Sequence, residues 1–267
     1  MATSYAGYMG KVLEIDLTTR TAREYPWTDD DRRAFIGGKI MAAKILDDLL
    51  TGHEQALSAE NPIIVSTGPL TGTGAPCSSR FNVSALSPQT GIVASSNCGG
   101  TFGLHLKKAG LDAIIVRGAC ESPTWISIEN GTVEYHDAEA DGLWGLNVTP
   151  AQERIARLLE QKWGAKRPFG QMVIGPGGEH QVLYAGLASD ERAAGRTGLG
   201  AVMGFKNLKG IAVRGNHEIR IAAPERNKAW NKKFFKKLRK HPLTGKQMPR
   251  MGTAGLVSPM QMRGMLA

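Results

Sequence analysis

The chain has 267 residues, 42% hydrophobic and 21% charged, with 33 glycines and a formal net charge of +9. That length can bury a sizeable core as one large domain, or as one domain with an appendage. The charge is local: between Asn216 and Arg250 there are 11 Lys or Arg against Glu218 and Glu225, which leaves the rest of the chain neutral, so the basic character does not mark the whole fold as nucleic-acid-binding.

Cys77, Cys98 and Cys120 are 21 and 22 residues apart. This matches neither a zinc ribbon nor an iron–sulfur ligand run, and an odd count does not suggest a disulfide framework. A reducing cytoplasm is the simplest compartment. The start of the sequence lacks a basic segment followed by an apolar one, so no signal peptide is expected. No run approaches about 18 consecutive apolar residues, so no membrane span is expected. The six histidines are scattered without metal-ligand spacing.

In chain order, Lys11–Pro26 alternates around Thr-Thr-Arg and predicts a β-hairpin. The next segment has apolar residues at helical spacing and predicts one helix to about Leu50. Ile63–Ser66 reads as a short buried strand running into a Gly/Pro/Thr loop. Arg80–Leu86 and Ile92–Ser95 read as strands, Phe102–Ala109 as a helix and Ala113–Arg117 as a strand. Trp125–Ile128 and Thr132–Tyr135 flank Asn130-Gly131, a strong hairpin signal. Thr149–Lys162 predicts an amphipathic helix with Pro150 in its first turn. Gln171–Ile174 and Val182–Leu187 read as strands, Gly200–Phe205 as a helix and Gly210–Arg214 as a strand. A basic helix then opens at Pro224 and ends near His241-Pro242, with Trp230, Phe234 and Leu238 on one face. That apolar face expects a protein partner, so nucleic-acid binding is not the preferred reading.

One unit occurs twice. LDAIIVRG (Leu111–Gly118) is echoed by LKGIAVRG (Leu208–Gly215), and each follows a Gly-rich loop, SSNCGGTFG (Ser95–Gly103) or RAAGRTGLG (Arg192–Gly200). Upstream of each loop an apolar run closes on Gly-Pro, at Gly68-Pro69 and Gly175-Pro176. Placing Leu111 on Leu208 puts Gly103 on Gly200; one residue out of that register, Asn97 falls on Ala193. Backbone N–H groups in such loops suit phosphate or pyrophosphate, and Arg80, Arg192 and Arg196 add forked donors. Neither the dinucleotide glycine spacing nor a P-loop is present. Asp190-Glu191 reads as a loop carboxylate that orients an arginine. A doubled anion loop points to a ligand that is itself double.

GPLTGTGAPCSSRFNVSALSPQTG, SNCGGTFGLHLKKAGLDAIIVRG and SDERAAGRTGLGAVMGFKNLKGIAV, in this order, resemble the N-terminal domain of the tungsten- or molybdenum-dependent aldehyde ferredoxin oxidoreductases. The likeness covers about residues 6–215 and, more loosely, the start of the next domain. It implies an α+β fold: a β-rich, internally duplicated, pseudo-twofold domain over 1–215, followed by a short helical segment, 216–267, that begins a second domain. It also implies two pterin dithiolenes joined through tungsten or molybdenum, with a magnesium ion bridging their phosphates. Asn97 and Ala193 would offer carbonyl oxygens to that ion, and Arg80, Gly99, Arg192, Gly195 and Arg196 would contact the pterins and phosphates. Arg80 would lie between a pterin and a [4Fe–4S] cluster.

The implied reaction oxidises an aldehyde with water to a carboxylate and passes electrons through the cluster to ferredoxin. The family's cluster cysteines and catalytic groups lie in later domains, so this chain is expected to be inactive alone and to need those domains or a complementing subunit. No residue in it is assigned a catalytic role. A non-catalytic pterin-binding or carrier module is the alternative, and the reading leaves homo-oligomers open. Cys98 stands where the family has a small hydroxyl residue. It reads first as a tolerated small side chain and second as an oxidation-sensitive thiol.

Overall fold

A computed structural model describes residues 3–164 and 168–266. These fall into two compact units, one of residues 3–73, 77–164 and 168–222, the other of 74–76 and 223–266. The first unit opens with the expected hairpin, β1 (Val12–Asp16) and β2 (Thr21–Tyr25). The single helix expected next is two, α1 (Asp29–Phe35) and α2 (Gly38–Leu49). A capping box starts α1: Asp31 N donates to Thr28 Oγ1 at 3.2 Å and Thr28 N donates to Asp31 Oδ2 at 2.8 Å. The break falls at Ile36, whose φ is 54°. There the backbone closes on the loop after the third strand: Gly38 N donates to the Thr67 carbonyl at 3.0 Å, and a Cβ on Gly37 would lie 2.6 Å from that oxygen.

The first half continues with β3 (Ile63–Ser66), β4 (Phe81–Leu86), β5 (Val93–Cys98), α3 (Phe102–Lys108) and β6 (Ala113–Arg117). The second half runs β7 (Thr124–Glu129), β8 (Thr132–Asp137), α4 (Val148–Trp163), β9 (Gly170–Val173) and the single turn α5 (Pro176–Glu179). It closes with β10 (Leu187–Ser189), β11 (Arg192–Ala194), α6 (Leu199–Phe205) and β12 (Leu208–Arg214). The strand expected at Val182–Leu187 is not formed. Those residues make turns, with Ala185 N on the Val182 carbonyl at 2.8 Å. Leu183 and Tyr184, 50% and 70% exposed, find no sheet face to cover them, and the strand begins only at Leu187.

The two sheets share one topology. The first is ordered β2-β1-β6-β3-β4-β5 and the second, written from the corresponding edge, β8-β7-β12-β9-β10-β11. In each, the first strand of the hairpin runs parallel to the last strand of the half, and every other pairing is antiparallel. The duplication therefore spans six strands per half, including the opening hairpins, which share Ile15 with Ile128 and Thr21 with Thr132 at equivalent positions but carry no repeated motif.

Period-two alternation assigns each strand face to a layer. Ile114 and Val116 of β6 face the central core, as do Ile211 and Val213 of β12; α3 contributes Phe102 and Leu106, and α6 contributes Leu199 and Val202. The opposite face of β6, Ala113 and Ile115, packs under Met41, Ile45 and Leu46 of α2. Ala212 and Val173 likewise pack under Ile155 and Leu159 of α4. Each fully buried Ile or Leu contributes about 1.5–3 kcal/mol, so the shared central layer is the main force joining the halves.

Buried charges close within each half. Asp112 accepts from Lys107 Nζ at 2.6 Å and from the amides of Met9 and Gly10 at 2.9 Å each. Lys209, its counterpart in the repeat, pairs with Glu179 and donates to the Leu146 carbonyl at 2.8 Å. Lys206 instead crosses between halves, donating to the carbonyls of Gly118 at 2.8 Å and Ala59 at 3.0 Å.

The second unit holds α7 (Pro224–Lys240), opened by Pro224 in its first turn, and a series of short helical turns over 242–262. Trp230, Phe234 and Phe235 of α7 are exposed. Among the described residues no helix is long and apolar enough to cross a membrane.

Candidate functional site

β5 and β11 are the corresponding edge strands of the two sheets, and they lie against each other. Each leads into the Gly-rich loop before α3 or α6, so the pseudo-twofold brings the two loops together. Arg196 N reaches Ser96 Oγ at 3.4 Å, and a Cβ on Gly99 would sit 3.3 Å from Arg192 Cγ.

Along β5 the alternation buries Ala94, Ser96 and Cys98 and exposes Val93, Ser95 and Asn97. The exposed row is fixed from below by buried Asn82, whose Nδ2 donates to Ser95 Oγ at 2.7 Å and to Asn97 Oδ1 at 3.1 Å. Arg192 and Ala193 of β11 are exposed, as are Gly195 and Arg196 in the loop that follows. Arg80 is exposed too. The register pairs Phe81 with Cys98, which sets Arg80 at the level of Gly99. All seven residues singled out in the sequence, Arg80, Asn97, Gly99, Arg192, Ala193, Gly195 and Arg196, thus lie on the two facing loops or the strand end beside them. Among the described residues, none of the three guanidiniums is engaged in an ion pair.

Two further residues shape the site. The β10–β11 turn of the second half sends Asp190 to the first-half loop, where Oδ2 accepts from Thr101 N at 2.6 Å and Thr101 Oγ1 at 3.0 Å. The β4–β5 turn of the first half does the reciprocal: Ser87 Oγ donates to the Thr197 carbonyl at 2.8 Å, in the second-half loop. The glycines make this approach feasible. Gly100 has φ +90°, and a Cβ there would fall 2.6 Å from Asp190 Oδ2. Gly198 has φ +74°, and a Cβ there would fall 1.9 Å from the Leu183 carbonyl. Asp190 was expected to orient an arginine; its carboxylate is spent on Thr101 instead. The only local signal for it is a turn aspartate, which here has φ 52°.

Cys98 is buried in the central core. Burial, with the charge of Asp190, pushes its thiol up to about 11 against the pull of Arg80 and Arg192. Ala194, at the corresponding place in the second half, is equally buried. The small-side-chain reading therefore holds and the oxidation-sensitive one has no accessible thiolate. His105 of α3 is 4% exposed and its Nδ1 has no hydrogen-bond partner. Burial, reinforced by Lys108 and opposed by Asp190, lowers its pKa to about 4.

The donor set suits one kind of inorganic partner and not another. Exposed guanidiniums without an ion pair suit phosphate oxygens, and main-chain carbonyls are the kind of donor a hard cation takes. A [4Fe–4S] cluster is not matched: Cys77 is exposed while Cys98 and Cys120 are buried, and no group of three His, Cys, Asp or Glu among the described residues could hold a metal.

Residues 12–215 match the family model described as "Aldehyde ferredoxin oxidoreductase, N-terminal domain". The chain belongs to the aldehyde ferredoxin oxidoreductase family. It is 38% identical over 260 residues to the tungsten-containing aldehyde ferredoxin oxidoreductase of Pyrococcus horikoshii, covering 97% of this chain and 42% of that protein. It is 34% identical over 244 residues to the "Aliphatic sulfonate oxidoreductase, WOR-like subunit" of Pyrococcus furiosus, covering 86% of this chain and 38% of that protein. Among solved structures it superposes with TM-score 0.81 and 33% identity on a chain of the "Active site complex BamBC of Benzoyl Coenzyme A reductase in complex with 1,5 Dienoyl-CoA", over 88% of this chain and 35% of that one. The chain spans about two fifths of the length of the curated aldehyde ferredoxin oxidoreductases it matches.

Proposed function

We propose that residues 1–215 form the base on which a bis-pterin cofactor of tungsten or molybdenum lies, and that 216–267 open a helical second domain. The observation that carries this is the meeting of two equivalent loops with three exposed, unpaired guanidiniums around them. The Asn97 and Ala193 carbonyls would share a magnesium ion with the pterin phosphates. Arg80, Arg192 and Arg196 would bind phosphate and pterin oxygens, and Gly99 and Gly195 would let the backbone approach closely. The relatives' names favour tungsten as the metal.

When bound, the metal dithiolene supplies two-electron redox chemistry. This chain's residues orient that group and neutralise its phosphates. Oxidation of an aldehyde with water to a carboxylate is the reaction proposed for the complete protein, with a [4Fe–4S] cluster and ferredoxin as its electron acceptors. The cysteines of this chain do not hold that cluster. Related bases carry names with aldehyde, aliphatic sulfonate and dienoyl-CoA, so the substrate is chosen elsewhere than on this surface.

The test is metal and pterin content. In the complete protein, plasma mass spectrometry is expected to find one tungsten or molybdenum per chain, and fluorescence of the oxidised pterin two pterins per metal. Arg192→Ala with Arg196→Ala should lower both by at least about tenfold, the low end of losing one charge-assisted hydrogen bond. Wild-type protein without pterin, or a double variant with a full complement, would overturn the reading.

A further inference from the structure

The two clasps across the pseudo-twofold differ from ordinary capping. A helix start is normally satisfied by a neighbour in sequence, yet Thr101, the residue before α3, makes no side-chain cap of its own. Its amide is taken by a carboxylate 89 residues away, in the other half of the duplication. Asp190 is itself held from behind, since Gln152 Nε2 of α4 donates to its carbonyl at 3.2 Å. A connected path therefore runs from α4 through Asp190 to Thr101, and Asp190 is two residues before Arg192. Gly100 is open enough to admit the carboxylate and would exclude it if it carried a Cβ.

We infer that Asp190 is a positioning residue for the cofactor site. Its carboxylate, supplied by the second half, sets the first-half loop Asn97–Thr101 at the separation from Arg192–Arg196 that a two-ended anionic ligand requires. The inference rests on the pterin-seating proposal above. It adds to it the group that fixes the spacing of the two loops. Asp190 touches no cofactor atom in this account; it acts through Thr101 and through its own strand.

The experiment uses the complete protein with Asp190→Ala and Asp190→Asn. Three quantities are read: amide hydrogen exchange at Thr101, tungsten and pterin per chain, and the electron paramagnetic resonance spectrum of the one-electron-reduced metal. Asp190→Ala is expected to speed Thr101 exchange by about tenfold or more, the equivalent of one charge-assisted hydrogen bond, and to lower bound metal and pterin by about fivefold or more. The metal that remains should show shifted g-values, a change that a merely stabilising residue would not produce. Asp190→Asn keeps one acceptor oxygen and should fall between, and it decides the matter if the alanine variant does not fold. Unchanged Thr101 exchange overturns the inference. So does accelerated exchange with full metal and pterin content and an unaltered spectrum. Wild-type protein free of pterin would instead overturn the seating proposal, while leaving the Thr101 clasp visible in the exchange data.

Discussion

His105 makes the fold sensitive to acid in a defined window. The folded protein lowers its pKa from 6.5 to about 4, chiefly by burial, with Lys108 adding to the shift and Asp190 opposing it. Between those values the unfolded chain binds more protons at this residue than the native one. Stability therefore rises with pH across the window and falls as pH is lowered through it. By about pH 5 the unfolded histidine is nearly all charged and the native one mostly neutral, which removes about 2 kcal/mol relative to about pH 8. The group is buried and its Nδ1 has no partner, so leucine at this position deletes the titration without leaving a donor unsatisfied. Urea unfolding of wild type and His105→Leu at both pH values measures the difference directly. The wild type should lose about 2 kcal/mol more than the variant between them. Equal pH dependence in the two proteins would show that His105 is not held neutral by its surroundings.

Three further outcomes follow from the geometry. Lys209→Met leaves Glu179 buried without its ammonium and should cost about 3–5 kcal/mol in a urea titration, with Glu179→Gln in the same background recovering part of it. Gly204→Ala places a Cβ 1.8 Å from the Gly178 carbonyl, where α6 crosses α5, and should lower stability by more than about 4 kcal/mol or prevent soluble expression. Gly100→Ala combines positive φ with a clash on Asp190 Oδ2. It should speed Thr101 amide exchange while costing about 1–2 kcal/mol globally.

The elements nearest the repeated motif were legible because local chemistry and tertiary demand agree there. β3, β6, α3 and β12 sit where apolar runs and glycines placed them. What escaped was set by contacts between segments distant in sequence. The break at Ile36 exists so that Gly37 and Gly38 can reach Thr67, and nothing in a helical apolar pattern announces a carbonyl thirty residues on. Val182–Leu187 has strand composition, but no neighbouring strand accepts it and its apolar side chains stay outside. The hairpins β1–β2 and β7–β8 share pairing and direction but few residues, Ile15 with Ile128 and Thr21 with Thr132, because any alternating sequence with a suitable turn satisfies that backbone. The two glycine-rich loops and their arginines were visible in the sequence, and the family resemblance picked out the seven candidate residues. Asp190 reads as a partner for an arginine and Ser87 caps its own turn; the contact each makes with the opposite half has no local signal.

An evenly doubled base would offer a twofold ligand two equivalent ways to lie down. This one does not. On one side the loop is held by a carboxylate accepting from an amide, on the other by a hydroxyl donating to a carbonyl; the strand residue beside it is asparagine in one half and alanine in the other. Having both halves on one chain lets each diverge without its twin following. A ligand with a preferred end for further chemistry can then be laid down in one orientation, so that its two ends face different neighbours every time.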